Sequence, residues 1–340
     1  MRALLTGGAG FIGSNLAARL LSLGYAVDCV DNLSTGSRAN VAHLTDNPKF
    51  RLFVGNAEEE ALVEPLLMDA DVVYHLAASV GVKNIMQKTI ASIENNIFST
   101  ALVLRLAEKH NKRIFIFSTS EVYGKSLKFP FAEDDDVVLG PASKLRWSYA
   151  ASKLVDDFLA ISYFTERKTE VTVVRLFNTI GVGQVGHYGM VVPRFLTQAR
   201  NNEPITIYGD GSQTRCFTDV RDVTNVLCQL IPVRSSLGEV INIGSNEEIS
   251  VLQLATKIKA LTNSTSTFTY VGFEEAYGPS FEDMARRVPC QEKLKQILGY
   301  SFQYRIDDTL DWLMATSTSK VKRSSSIPAG ERPDLAAEAI

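Results

Sequence analysis

The stretch LLTGGAGFIGSNL, Leu4–Leu16, sets glycines at 7, 8, 10 and 13 between a short apolar run and the first turn of a helix-period segment. Gly8, Gly10 and Gly13 form a GxGxxG spacing, and Gly7 adds a GxxGxxG register. That pattern is weak alone and gains meaning from its place after a strand and before a helix. Glycines there permit a tight turn and the close approach of a pyrophosphate, whose charge then meets the free N–H groups of the helix N-terminus. Gly7, Gly10, Phe11, Ile12 and Gly13 are therefore the first expected cofactor-binding residues. The helix itself puts Ile12, Leu16 and Leu20 on one face and stops at Gly24, a natural C-cap.

Working outward, the runs RALLTG, AVDCVDN, FRLFVG, VVYHLAA, RIFIFST and VTVVRLFN alternate with helix-period segments as far as about residue 178. This rhythm predicts βαβ units, hence an α/β fold with a doubly wound parallel sheet of the Rossmann kind. Asp31 ends the second run, where an acid accepts hydrogen bonds from both hydroxyls of an adenosine ribose and repels a 2'-phosphate, so NAD is expected over NADP. Past Asn178 the rhythm breaks into glycine-rich loops before helical patterns return, which implies a smaller C-terminal lobe. The expected division is a dinucleotide-binding domain over 1–177, with about 219–245 returning to it, and a discontinuous substrate lobe over 178–315. Residues 316–340, polar and small, read as a flexible tail.

With 340 residues, 45% of them hydrophobic, a large core is available, and a formal net charge of -3 with dispersed basic residues leaves no footprint for nucleic acid. No apolar run suits a signal peptide or a membrane span, so the cytoplasm is the expected location. Cys29, Cys216, Cys228 and Cys290 form no CxxC pair and read as reduced thiols. His75, at the end of a buried strand, reads as a satisfied core residue; His43, His110 and His187 share no metal-like spacing, and no metal is expected. The runs Glu133–Asp136 and Glu58–Glu60 read as a solvated loop and a helix N-terminal turn.

SYAASK sets Tyr149 and Lys153 four apart, on one face of a helix. An ammonium near a phenol favours phenolate, and a tyrosine so tuned takes and returns a proton near neutral pH. TGGAGFIGS, HLAAS (75–79), STSEVYG (118–124), SYAASK (148–153) and RLFN (175–178) occur in this order in the extended short-chain dehydrogenases/reductases, the NAD-dependent nucleotide-sugar epimerases, dehydratases and decarboxylases, which the chain resembles over about residues 1–315. The resemblance implies that Thr119, Tyr149 and Lys153 oxidise a sugar at C4: Thr119 bonds the hydroxyl, Tyr149 removes its proton, and Lys153 holds the nicotinamide ribose while lowering the tyrosine pKa. It adds Asn32, Asn56, Ala57, Leu76, Ala77 and Ala78 to the cofactor set, Asn56 standing where an aspartate at the adenine is common. For a UDP-sugar it implies Ser120, Asn178, Val192, Arg194, Tyr208 and Arg215, with Asn178 and Arg215 at the pyrophosphate, which suits arginine's planar donors.

Glu121 divides the family's chemistries. Simple UDP-galactose epimerases usually carry a small residue there, and a carboxylate that costs desolvation implies use. UDP-glucuronate decarboxylases have Ser-Glu after the threonine, as do GDP-mannose 4,6-dehydratases; the dTDP-glucose dehydratases, with Asp before Glu, are disfavoured by Ser120, and Asp31 counts against the NADP-preferring GDP-mannose enzymes. YGPSFEDMARRVPC (277–290) resembles the decarboxylases' late RKP segment, which assigns Arg287 to the substrate carboxylate beside C5, and LGPASKLRWSYAASK (139–153) resembles the sugar-acid decarboxylases of lipid A modification. Val182 and Gly183 depart from a common Gly-Pro-Arg, and Cys290 from the usual aspartate. The leading expectation is UDP-glucuronate decarboxylation. The alternatives are a UDP-sugar 4-epimerase acting on UDP-glucose or UDP-glucuronate, then a GDP-mannose-type dehydratase, then a non-catalytic NAD-binding scaffold. The segments IASIENNIFSTALVLRLAEK and SKLVDDFLAISYFTER have broad apolar faces, and the resemblance implies a homodimer through a four-helix bundle.

Overall fold

The computed structural model of the chain describes residues 1–186, 190–278, 282 and 284–324. His187 and the last part of the expected tail, 325–340, lie outside the described residues. Seven strands form one parallel sheet: β1 (Arg2–Thr6), β2 (Ala26–Asp31), β3 (Phe50–Val54), β4 (Val72–His75), β5 (Arg113–Thr119), β6 (Val171–Leu176) and β7 (Val240–Ile243). Their order is β3–β2–β1–β4–β5–β6–β7. The first six strands lie in the six apolar runs, as the alternation predicts. β7 comes from beyond Asn178 and pairs with β6, Val240 opposite Val173.

Strands this continuously apolar need cover on both faces. On one face α1 (Phe11–Ser22) and the helix Val220–Leu230 bury Leu16, Leu20, Val223 and Leu227 against Leu5 and Tyr74. The other face is covered by α2 (Glu60–Asp69), α3 (Thr89–Lys109) and α4 (Ser148–Arg167), with Leu67, Val103, Leu104 and Ala160 packed on Leu4, Ile114 and Val173. Leu4 and Leu5 thus serve opposite faces, as period-2 alternation requires. The chain runs away from β1 in one direction through β2 and β3, and in the other through β4, β5 and β6. The loops after β1 and β4 therefore diverge and open a crevice at the C-terminal edge of the sheet.

A second core, with Phe195, Ile207, Leu254, Ile258 and Leu310, is built by the helices Val191–Arg200, Val251–Leu261 and Ile306–Ser324 and three two-stranded ribbons. Ser250 and Gln253 close a capping box on the second of these helices. Two composition-based expectations are corrected here. The polar turn at Thr316 does not end the last helix, which continues to Ser324. The acidic run 133–136 is not uniformly solvated: Glu133 is buried and accepts a hydrogen bond from Asn242 N (2.8 Å), while Asp135 accepts one from Ala132 N (2.8 Å). The loop crosses β6 and β7, and its carboxylates serve covered backbone donors that composition cannot reveal. Among the described residues no helix is long and apolar enough to cross a membrane.

Candidate active site

A cavity of about 670 Å³ opens at the C-terminal ends of the strands and extends under the second lobe. Its floor is the glycine turn. Gly7 has φ +73°, and a Cβ there would stand 2.8 Å from Ala77 N, so the turn demands both the left-handed backbone and the missing side chain. A Cβ on Gly13 would run into the Gly7 carbonyl oxygen, which is how the first turn of α1 sits so close to the loop. No side chain caps α1 at Gly10, and Gly10, Phe11 and Ile12 line the cavity, leaving the helix end to an anion.

Asp31 is buried and holds the loop from both sides, accepting Ala9 N at 2.9 Å and Leu33 N at 2.8 Å. A carboxylate has about four acceptor positions. Two remain for a diol, and the same charge opposes a phosphate. Asn32, Ala57, Leu76, Ala77 and Ala78 also line the cavity. Asn56 does not: Gly55 and Ala57 line the wall on either side, while its Oδ1 accepts Asn32 Nδ2 and its Nδ2 donates to Glu59 Oε1. The Asn56 amide is thus engaged by two neighbouring side chains at the edge of the cavity. The remaining cradle suits an NAD-type dinucleotide.

Thr119 ends β5, and its Oγ1 accepts Glu121 N at 3.2 Å. Tyr149 and Lys153 rise from the first turns of α4, and all three line the cavity. The surroundings of the phenol differ from expectation. Burial pushes the Tyr149 pKa up, Glu121 and Asp156 add to this, and Arg146 and Arg287 oppose it. The Lys153 ammonium instead faces Asp156, donating to its Oδ2 at 2.6 Å with both side chains buried. That counter-charge lies one helical turn along from Lys153.

Glu121 lies between two guanidiniums, 2.5 Å from Arg146 Nη1 and 3.3 Å from Arg287 Nη1. Burial alone would raise its pKa. The charges of Arg146 and Arg287, the Arg146 hydrogen bond and the charge of Arg215 outweigh it and hold the carboxyl at about 2. Ser120 is buried beside it and lines the cavity, its Oγ without a hydrogen-bond partner among the described residues. From the second lobe come Asn178, held by a bond from its Nδ2 to Cys216 O (3.0 Å), and Arg215, bonded to Thr214 O at 2.8 Å. Val192, Arg194 and Tyr208 complete that wall, with the Arg194 guanidinium 4.0 Å from the centre of the Tyr208 ring.

Of the sequence-derived site, every residue but Asn56 lines this one cavity. Two residues were missed. Arg146 lies inside LGPASKLRWSYAASK (139–153), where the resemblance gave it no role. Asp156 stood three residues after Lys153, where a charge of opposite sign on one helix face is itself the signal.

A family model described as GDP-mannose 4,6 dehydratase matches residues 4–312. The chain belongs to this family. Within the family it is 40% identical over 316 residues to the UDP-N-acetyl-alpha-D-glucosaminuronate decarboxylase of Bacillus cytotoxicus, covering 92% of this chain and 97% of that protein. It is 36% identical over 299 residues to UDP-glucuronic acid decarboxylase 1 of Danio rerio, covering 88% and 68%. Among solved structures it is similar to the UDP-glucuronic acid 4-epimerase of Bacillus cereus in complex with UDP-glucuronic acid and NAD, with TM-score 0.82, 28% identity, and 93% and 100% of the two chains covered. Family membership brings with it the extended short-chain dehydrogenase/reductase type, of which decarboxylases, epimerases and dehydratases are all examples.

Proposed function

We propose that the chain is an NAD-dependent decarboxylase of a UDP-linked uronic acid, UDP-glucuronate or its 2-acetamido analogue. One observation carries the reading: Glu121, two residues past Thr119, held ionised between Arg146 and Arg287. Bound NAD would accept the hydride of C4 and later return it. Thr119 Oγ1 already accepts a backbone N–H, which leaves its own O–H to donate to the C4 oxygen. Tyr149 takes the proton of that hydroxyl and gives it back. Lys153 has three donors, of which Asp156 engages one, leaving two for ribose hydroxyls.

With C4 a ketone, the C5 carboxylate belongs to a β-keto acid. The C5–carboxyl bond breaks, carbon dioxide leaves, the electron pair passes to the C4 oxygen under Thr119 and Tyr149, and C5 then takes up a proton that comes, net, from solvent water. Arg146 and Arg287 offer the substrate carboxylate its counter-charge. Anionic Glu121 raises the energy of a carboxylate beside it and not that of neutral carbon dioxide. A 4,6-dehydratase would instead need an acid to deliver a proton to a leaving hydroxyl, and a carboxyl held at about 2 is no proton donor near neutral pH.

The rest of the reading follows from the same frame. Residues 1–177 with 219–245 hold the dinucleotide, and the lobe over 178–315 holds the UDP-sugar. Large apolar side chains left exposed on α3 and α4, Phe98 at 57% and Phe158 at 66%, support a homodimer through these helices. Four unbridged cysteines suit a reducing, cytoplasmic compartment.

Incubation with NAD and, separately, UDP-glucuronate, its 2-acetamido analogue and UDP-glucose, read by mass spectrometry, tests the function. Loss of carbon dioxide from a uronic acid is expected. A product of unchanged mass, or one short of a water, overturns the reading in favour of an epimerase or a dehydratase. Tyr149→Phe should lower turnover by about 10²–10⁴-fold, the range for losing a positioned proton acceptor.

A further inference from the structure

We propose that Asp156 is a positioning residue for the Lys153 ammonium and that, by this pairing, it offsets the ammonium's charge against the Tyr149 phenol. Lysine's charge sits on a flexible four-carbon stem. The 2.6 Å bond to Asp156, with side-chain exposures of 3% and 0%, fixes that charge at one point of α4. Behind the pair runs a buried polar line. Burial raises the Asp156 pKa, and the charge and hydrogen bond of Lys153, then a bond from Thr100 of α3, oppose it; Thr100 Oγ1 lies 3.2 Å from His75 Nε2, and His75 Nδ1 lies 2.8 Å from Thr6 Oγ1, the residue immediately before Gly7. Burial, then the charge of Lys153, pushes His75 down to about 3, so it is neutral and the line carries its charge at the Lys153–Asp156 end. The turn under the dinucleotide and the lysine are thus joined through one hydrogen-bonded strut.

The charges facing the phenol come from several elements. They include Glu121 from the turn after β5, Arg146 from the turn before α4, Arg287 from the second lobe, and Asp156 from α4 itself, which is paired with Lys153 of the same helix. Asp157, the next residue, faces away to Arg175 on β6, with Arg175 Nε 2.9 Å from its Oδ2. After burial and Glu121, Asp156 is what raises the phenol most. Its charge makes the phenolate harder to form and the proton easier to return. A redox-neutral cycle needs that return.

The inference rests on Tyr149 being the proton acceptor of the proposed reaction. Its test uses Asp156→Asn, which keeps a hydrogen-bond acceptor and removes the charge, and Asp156→Glu, which restores it. Each is titrated by ultraviolet difference absorbance of tyrosinate against its Tyr149→Phe counterpart, without substrate, and by the pH dependence of kcat/KM. Asp156→Asn should bring the Tyr149 transition and the rising limb of kcat/KM to lower pH by about one unit, and Asp156→Glu should move both back. If Asp156→Asn does not fold, Lys153→Met is compared with Lys153→Met/Asp156→Asn, in which the pair leaves together and no buried charge stands alone. The double variant should then show the lower Tyr149 transition. A transition that stays in place or rises in the neutral variants overturns the proposal. Absence of turnover on every UDP-sugar, with the titration shifted as described, would reject the reaction and leave the role of Asp156 standing.

Discussion

Glu121 shows how far one side chain's surroundings decide its work. Its identity and its place after Thr119 are legible in the chain, and its charge state is not, because the guanidiniums that set it arrive from residues 146 and 287. The folded protein holds this carboxyl at about 2 against an ordinary 4.5. Ionised Glu121 therefore adds stability above about pH 4.5, and that stability is lost as the pH falls toward 2. The shift corresponds to about 3 kcal/mol. Glu121→Gln should accordingly lower the urea midpoint at pH 7, and the gap to the wild-type protein should close as the pH is brought down through 4 toward 2. The same variant should slow carbon dioxide release by about 10²-fold while leaving NAD affinity unchanged, as read by calorimetric titration.

Secondary structure elements bring these side chains together through a few close backbone approaches. The fit of α1 to the glycine turn is one of them, and its period and glycine spacing were readable because both are local. Gly13→Ala puts a methyl group into the Gly7 carbonyl oxygen, so α1 must shift from the loop. A cost of about 1–3 kcal/mol is expected, felt as a loss of NAD affinity of tenfold or more. Gly272→Ala is the control: no atom lies within 4 Å of its Cβ position, its backbone is extended, and neither stability nor NAD binding should change. Asn56 shows the limit of spacing at this scale too. Its place after β3 was legible, but its engagement by Asn32 and Glu59 depends on side chains whose directions the spacing does not carry.

At the scale of the molecule, the sheet, the second lobe and the α3–α4 face divide the labour of the proposed reaction. In the proposal the sheet's edge would supply proton transfer and the lobe Arg215 and Arg287, and the helical face where Phe98 and Phe158 stand exposed would meet a second copy. Phe158→Glu should convert a dimer into a monomer in sedimentation velocity, with NAD binding by the monomer retained. A wild-type protein that sediments as a monomer at all concentrations would remove the dimer from the proposal. The acidic loop 133–136 was misread for a reason of the same scale, since only the packed molecule shows which strands it crosses.

By itself the sequence determined the parallel sheet, the dinucleotide turn, Asp31 at the end of β2 and the Tyr149–Lys153 pair, because each follows from periodicity or spacing within a strand, a turn or a helix. The tertiary structure alone decided that Arg146 and Arg287 close on Glu121, that Glu133 is buried, and that burial raises the Tyr149 pKa. Burial and charge act through space over a few ångströms, and beyond one helical turn the distance along a chain does not measure that.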